Sequence, residues 1–154
     1  MLKWLESMGA EVNGKRQRFA SAKNSETEHV KRLKKLYELS MTLSGDPAEV
    51  FKHVARMIAE LFNVRVVCLS EIRGDQLHFL SVYVDGAVFQ DAGQCALAIT
   101  PCATVEQSKD IRVYDRVSEL FPEASFLQEH NAQAYCGFPV LDNHQNVVAI
   151  TCLL

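Results

Sequence analysis

The sequence predicts an α/β (α+β) domain: a central, mainly antiparallel sheet of about five or six strands with helices on both faces, preceded by an N-terminal helix. Three observations point there. A capped stretch with apolar residues at helical spacing runs from Pro47 to Phe62. Apolar runs of period two follow it, joined by turns too short to bridge parallel strands. Short helical stretches interrupt those runs in the second half of the chain.

Residues 1–26 lean basic and carry no clear period, so they suit a tail or linker, or a short interfacial helix followed by one. Helical spacing starts near Thr27, with Val30, Leu33, Leu36, Tyr37, Leu39 and Leu43 along one side, and Gly45 provides a stop. Residues 27–45 are therefore a lead-in helix, too short to establish a coiled coil. The next helix is the best marked. Asp46 can cap it, Pro47 suits its first position, Glu49 sits three residues past the cap, and Val50, Phe51, Val54, Met57, Ile58, Leu61 and Phe62 form its apolar face.

At Val64–Ser70 the period becomes two, and the turn at residues 73–76 leads to a returning strand over Leu77–Val84 that ends at Asp85-Gly86. Residues 87–99 hold one short strand near Val88–Gln90. Thr100 caps a helix beginning at Pro101 and running to about Ser108. Ile111–Tyr114 reads as a strand. A second short helix opens at Leu120-Phe121-Pro122 and closes near Asn131, with Phe126 and Leu127 inward. Ala134–Leu141 and Val147–Leu154 pair across the turn at residues 142–146 as a last hairpin. Residues 46–154 thus form one domain.

Composition narrows the function. The apolar fraction is 48%, the charged fraction 23% and the net charge −3, which is too small to point to a partner, and nothing suggests the clustered Lys and Arg of a nucleic-acid binder. No apolar run approaches the roughly 20 residues of a membrane span, and the N-terminus is too short and charged for a signal peptide. A cytoplasmic protein is expected. The five cysteines form no CxxC pair and no histidines stand at metal-ligand spacing, so a metal site and a disulfide framework are not expected. GxGxxG loops and nucleophilic triads are missing too.

Three segments carry a sharper pattern: Thr100-Pro101-Cys102-Ala103-Thr104-Val105, then Leu120-Phe121-Pro122, then Ala134-Tyr135-Cys136-Gly137-Phe138-Pro139-Val140. In this order and at these intervals, over roughly Tyr37–Leu154, they resemble a subfamily of GAF domains. The resemblance implies a non-catalytic sensory module of a bacterial signal-transduction protein, of the kind found upstream of histidine kinases, diguanylate cyclases or transcriptional activators, in two-component or cyclic-di-GMP signalling. Ile99, Gln145 and Ala149 stand where many relatives have Gly. The closing helix usual in such domains is missing after Leu154, as expected of a fragment or of a member covered by a partner.

A GAF-type pocket would lie between the sheet and residues 87–131. The start of the helix at Thr100 could hold an anionic group on its free N–H groups, and Cys102, in its first turn, would have a lowered pKa and respond to ligand or oxidant. A packed thiol over the sheet is the preferred reading of Cys102. Tyr114 and Tyr135 are the polar handles, Phe121 and Phe126 the aromatic lid, Cys95 a further thiol, and His78 a strand histidine able to face the pocket or carry haem; core packing accounts for all of these as well. Cys95, Cys102 and Cys136 keep open a resemblance to free methionine sulfoxide reductases, although their surroundings do not match that motif. Cyclic-nucleotide and bilin signatures are missing. The leading expectation is ligand or redox sensing, with the ligand and any cofactor unidentified and the lead-in helix relaying the signal to an output domain. The rival is a ligand-free homodimer scaffold built on the Tyr37 and Leu43 face.

Overall fold

Asp46 begins the first long helix as the cap predicts: its Oδ1 accepts from the Ala48 N–H at 3.2 Å, with Pro47 at the first position. This helix, α1 (Pro47–Phe62), closes at Asn63, whose left-handed backbone (φ 51°) turns its N–H back to the Ala59 carbonyl. Glu49 pairs with Lys52 at 3.5 Å instead of completing a capping box. The computed structural model describes residues 30–35, 37–38 and 45–154. Residues 30–35 and 37–38 are helical, in keeping with the lead-in helix, and Lys35 ties them to α1 through Glu60 at 3.2 Å. The tail at 1–26 and residues 27–29, 36 and 39–44 of the expected helix lie outside the described residues.

Among the described residues, seven strands form the sheet: β1 (Val66–Arg73), β2 (Gln76–Val84), β3 (Ala87–Gln90), β4 (Gln94–Ala96), β5 (Arg112–Asp115), β6 (Ala134–Leu141) and β7 (Val147–Leu153). Their order is β3-β2-β1-β7-β6-β5, every pair is antiparallel, and β4 shares the edge of β2 with β3. The fold class therefore stands, with β4 beyond the expected count. Gln94-Cys95-Ala96 has no β-branched residue and owes its extended form to pairing with residues 76–78.

A bulge in β2 decides which side chains point inward. Leu69 faces Ser81 and Ser70 faces Phe79, which leaves Leu80 as an extra residue. Without it, Leu77 and Phe79 would fall on the face opposite Val82 and Val84; with it, all four pack into one core. That core lies between the sheet and the second-half helices: a 3₁₀ turn (Leu97–Ile99), α2 (Cys102–Ser108), α3 (Val117–Leu120) and α4 (Ser125–Glu129). The other face is covered by α1. There Ala55 and Ala59 allow close approach to Val67, Leu69, Cys136 and Leu153, and Phe51, Val54 and Ile58 fill the flanks.

Two local expectations change. The helix expected to open at Leu120 is instead two helices, since Leu120 ends α3 and Phe121-Pro122 is the corner before α4. Proline stops the preceding turn here as readily as it would start one. Thr100 does not cap α2. Its hydroxyl donates backward to the Leu97 carbonyl at 2.8 Å, and Pro101 occupies the cap position without a side-chain bond.

Candidate functional site

Between the sheet and the second-half helices lies a cavity of about 60 Å³. The floor is sheet: Cys68 of β1, Leu77 and Phe79 of β2, Cys95 of β4, Tyr135 of β6 and Cys152 of β7. The roof is Ile99, Thr100, Pro101 and Cys102 on one side and Ala124, Ser125, Phe126 and Leu127 on the other, with Leu154 at the rim. Among the described residues lining it, none is charged.

Tyr135 is the central side chain. It is 1% exposed, and its hydroxyl lies 3.2 Å from Cys102 Sγ. Gly137 makes this possible. Two residues on along β6 and on the same face, its missing Cβ leaves the space the phenol ring occupies; a Cβ there would meet Tyr135 Oη and lie 2.7 Å from both Tyr135 Cζ and Val105 Cγ2. The Tyr-x-Gly spacing of the third motif is thus a ring lying across a glycine. Tyr114 and Phe121 stand behind Tyr135 and do not line the cavity. Tyr114 meets Phe121 edge to face at 5.4 Å and Tyr135 at 6.1 Å, and donates to Thr104 Oγ1 at 2.9 Å. Phe126 does line it, with Phe79 at 6.0 Å and His130 at 4.4 Å between ring centroids.

Cys68 and Cys152 face each other across β1 and β7, and Cys102 reaches Cys152 from above, so thiol follows thiol along one wall. The lowered pKa expected at Cys102 is overturned. Its hydrogen bond with Cys152 and its burial push the thiol well above its usual range, outweighing the bond with Tyr135. Tyr135 is raised by burial and by neighbouring Cys102. For Cys152 the bond with Cys102 lowers the value, and the Cys68 thiol and burial more than reverse it. Cys95 rises to about 11, by burial and then by Cys102. Under α1 on the opposite face, Cys136 rises to about 12 by burial, away from the cavity.

At the helix start, where an anionic group could sit, most of the N–H groups are already used. The N–H groups of Ala103 and Thr104 are taken by the Thr100 and Pro101 carbonyls, at 3.2 and 3.1 Å, and α2 has seven residues. His78 pairs with Glu71 while Leu77 and Phe79 line the cavity, so the alternation of the strand sets His78 on the far face, away from any haem role in the cavity. Thr100, Cys102, Phe126, Tyr135 and Cys95 are brought together as expected; Tyr114 and Phe121 support them; His78 does not join them. Sequence reading missed Cys68, Cys152, Leu77 and Ile99. Period-two patterning marks the strands but does not say which face a small apolar residue takes. Among the described residues no group of three or more His, Cys, Asp or Glu is placed to hold a metal ion, and no helix is long and apolar enough to cross a membrane.

A chamber between an antiparallel sheet and short inserted helices marks this as an α+β domain of the sheet-and-lid kind. The family model for the GAF domain matches residues 46–154, and the chain belongs to that family. Solved structures agree in fold. The chain is similar to the A. aeolicus nlh2 GAF domain in an inactive state (17% identity, TM-score 0.65, 82% of this chain and 80% of that one). A putative GAF sensor protein from Burkholderia vietnamiensis is also similar (12%, 0.63, 86% and 79%). So is the free methionine-R-sulfoxide reductase from Neisseria meningitidis in complex with its substrate (11%, 0.61, 88% and 77%). No curated protein sequence matches.

Proposed function

We propose that this GAF domain is a regulatory small-molecule sensor of a bacterial signal-transduction protein, acting in the cytoplasm on an output domain such as a histidine kinase or diguanylate cyclase. The observation that carries the reading is the partly open cavity between sheet and second-half helices, walled by side chains from strands and helices that a ligand would hold together. A ligand shifts the domain between states by its difference in affinity for them. The lead-in helix is the relay: Lys35 joins it to α1, and Val30, Leu33 and Tyr37 are exposed on it at spacings of three and four, as a homodimer contact requires.

Ligand occupancy is favoured over thiol oxidation, because thiols held neutral by burial are slow nucleophiles. Redox chemistry is nevertheless the second reading, supported by the thiols of Cys68, Cys102 and Cys152 on one wall and by the fold shared with a methionine sulfoxide reductase. Native mass spectrometry and a thermal-shift screen test the first. A bound small molecule, or a ligand-dependent rise of a few degrees that Cys102→Ser alters without unfolding the domain, is the expected result. An empty domain with a constant dimer would replace the sensor with a scaffold. Loss of cavity thiols on adding methionine sulfoxide would favour the enzyme.

A further inference from the structure

Charge, hydrogen-bonding capacity and size together restrict what this cavity can hold. Moving an ionised group into a space without a counter-charge costs several kcal/mol, and no described lining residue supplies one. Of the lining hydroxyls, Thr100 Oγ1 is engaged with the Leu97 carbonyl and Tyr135 Oη with Cys102 Sγ, and the exposed Ser125 at the start of α4 adds a third. What remains is aliphatic, aromatic and thiol surface, which gains by burying apolar atoms and loses by burying phosphate, carboxylate or ammonium.

Size sets the second limit. The cavity of about 60 Å³ has room for roughly four to six water-sized positions. A larger guest needs one wall to yield, and Phe126 is placed to do so. It sits on the five-residue helix α4, within a segment held by its own bonds: Ser118 Oγ donates to the Leu127 and Ala132 carbonyls at 3.1 and 2.6 Å, and Gln128 Nε2 to the Ser118 carbonyl at 2.8 Å. Left-handed residues flank that segment, Arg116 (φ 51°) before it and Asn131 (φ 47°) after it. Bonds joining Ser118 and Leu127 to Ala132 and Val117 to Gln133 fix the segment to the chain beyond Asn131, so it is the half-buried Phe126 ring that turns aside while they hold. Resting on the sensor reading above, we propose that the ligand is a compact uncharged ring of about six to nine heavy atoms, apolar or with a single hydroxyl or N–H, admitted where Phe126 moves aside.

The cysteines provide the readout. Cys102 and Cys152 line the cavity, while Cys136 is buried under α1 on the opposite face and reports global unfolding. The full chain is alkylated with iodoacetamide under native conditions in the presence of toluene, phenol, indole, benzoate or AMP, and each cysteine is followed by peptide mass spectrometry. A neutral ring at ten times its Kd should slow labelling of Cys102 and Cys152 about tenfold relative to Cys136, and raise Tm by about 5 °C. Benzoate and AMP should do neither. Ala124→Val, which narrows the cavity without removing any contact, should abolish the protection while leaving Cys136 labelling unchanged. Stronger protection by benzoate or AMP would overturn the proposed class and leave the sensor standing. If no probe protects, and the cavity thiols label only as fast as Cys136, the space is closed core and the ligand-sensing reading falls with the proposal.

Discussion

Replacing Gly137 by alanine places a methyl group where the Tyr135 ring now lies. The added carbon would meet the hydroxyl oxygen of Tyr135 and stand 2.7 Å from its Cζ and from Val105 Cγ2, against the roughly 3.5–4.0 Å at which carbon atoms rest. Val105, 0% exposed, has no room to retreat, and Tyr135, 1% exposed, can move only into the small cavity that it lines. Overpacking of this kind costs about 1–3 kcal/mol. Swinging the ring away also breaks the 3.2 Å contact of its hydroxyl with Cys102, and an unsatisfied buried hydroxyl costs about 1–3 kcal/mol more. A loss of roughly 2–6 kcal/mol follows, a fall in Tm of ten degrees or more for a domain of this size. Urea denaturation of Gly137→Ala, Tyr135→Phe and the double variant measures it. Tyr135→Phe removes the atom nearest the new methyl, so it should cost about 1 kcal/mol in the parent and recover stability in the alanine background. If Gly137→Ala unfolds within 0.5 kcal/mol of the parent, or the two changes simply add, the ring-over-glycine account is wrong.

Two further outcomes follow from the β6–β7 turn. Gln145 is an exposed residue held at φ 64°, so Gln145→Gly should raise stability by about 0.5–1 kcal/mol, read as a shift in urea midpoint at constant slope. In the same turn, Asp142 accepts from the backbone N–H groups of His144 and Asn146, both at 2.8 Å. The Asn146 backbone bond leads the causes that hold its carboxyl below the ordinary 3.8. The lowered folded value means the stabilisation is present above 3.8 and is lost as pH falls through the folded pKa. Amide exchange at residues 142–146 should accelerate there ahead of the sheet, and Asp142→Asn should remove that dependence; equal acceleration in both proteins would contradict it.

What the sequence made legible was whatever a local signal could fix. Asp46, Pro47 and the apolar spacing behind them set the limits of α1, and the two apolar runs around residues 142–146 set the last hairpin nearly to the residue. The Tyr135–Gly137 spacing pointed to the strand whose Tyr135 lines the cavity. What stayed hidden depends on contacts distant in sequence. The bulge at Leu80 sets which side chains of β2 point inward, and nothing in the local residues announces it. Cys102 occupies the turn of α2 where a helix end would favour its thiolate, yet Cys152, fifty residues on, and burial reverse the effect. Thr100 has the chemistry of a cap but finds the Leu97 carbonyl nearer.

The place of β7 has a consequence for assembly. It lies between β1 and β6, so the half-sheet β3-β2-β1 and the half-sheet β6-β5 are joined through this strand alone. During synthesis the earlier segments can form hairpins, yet each leaves an unpaired edge until the last strand has been made and inserted between them. Such late, long-range closure slows folding and leaves sticky strand edges open to other chains in the meantime.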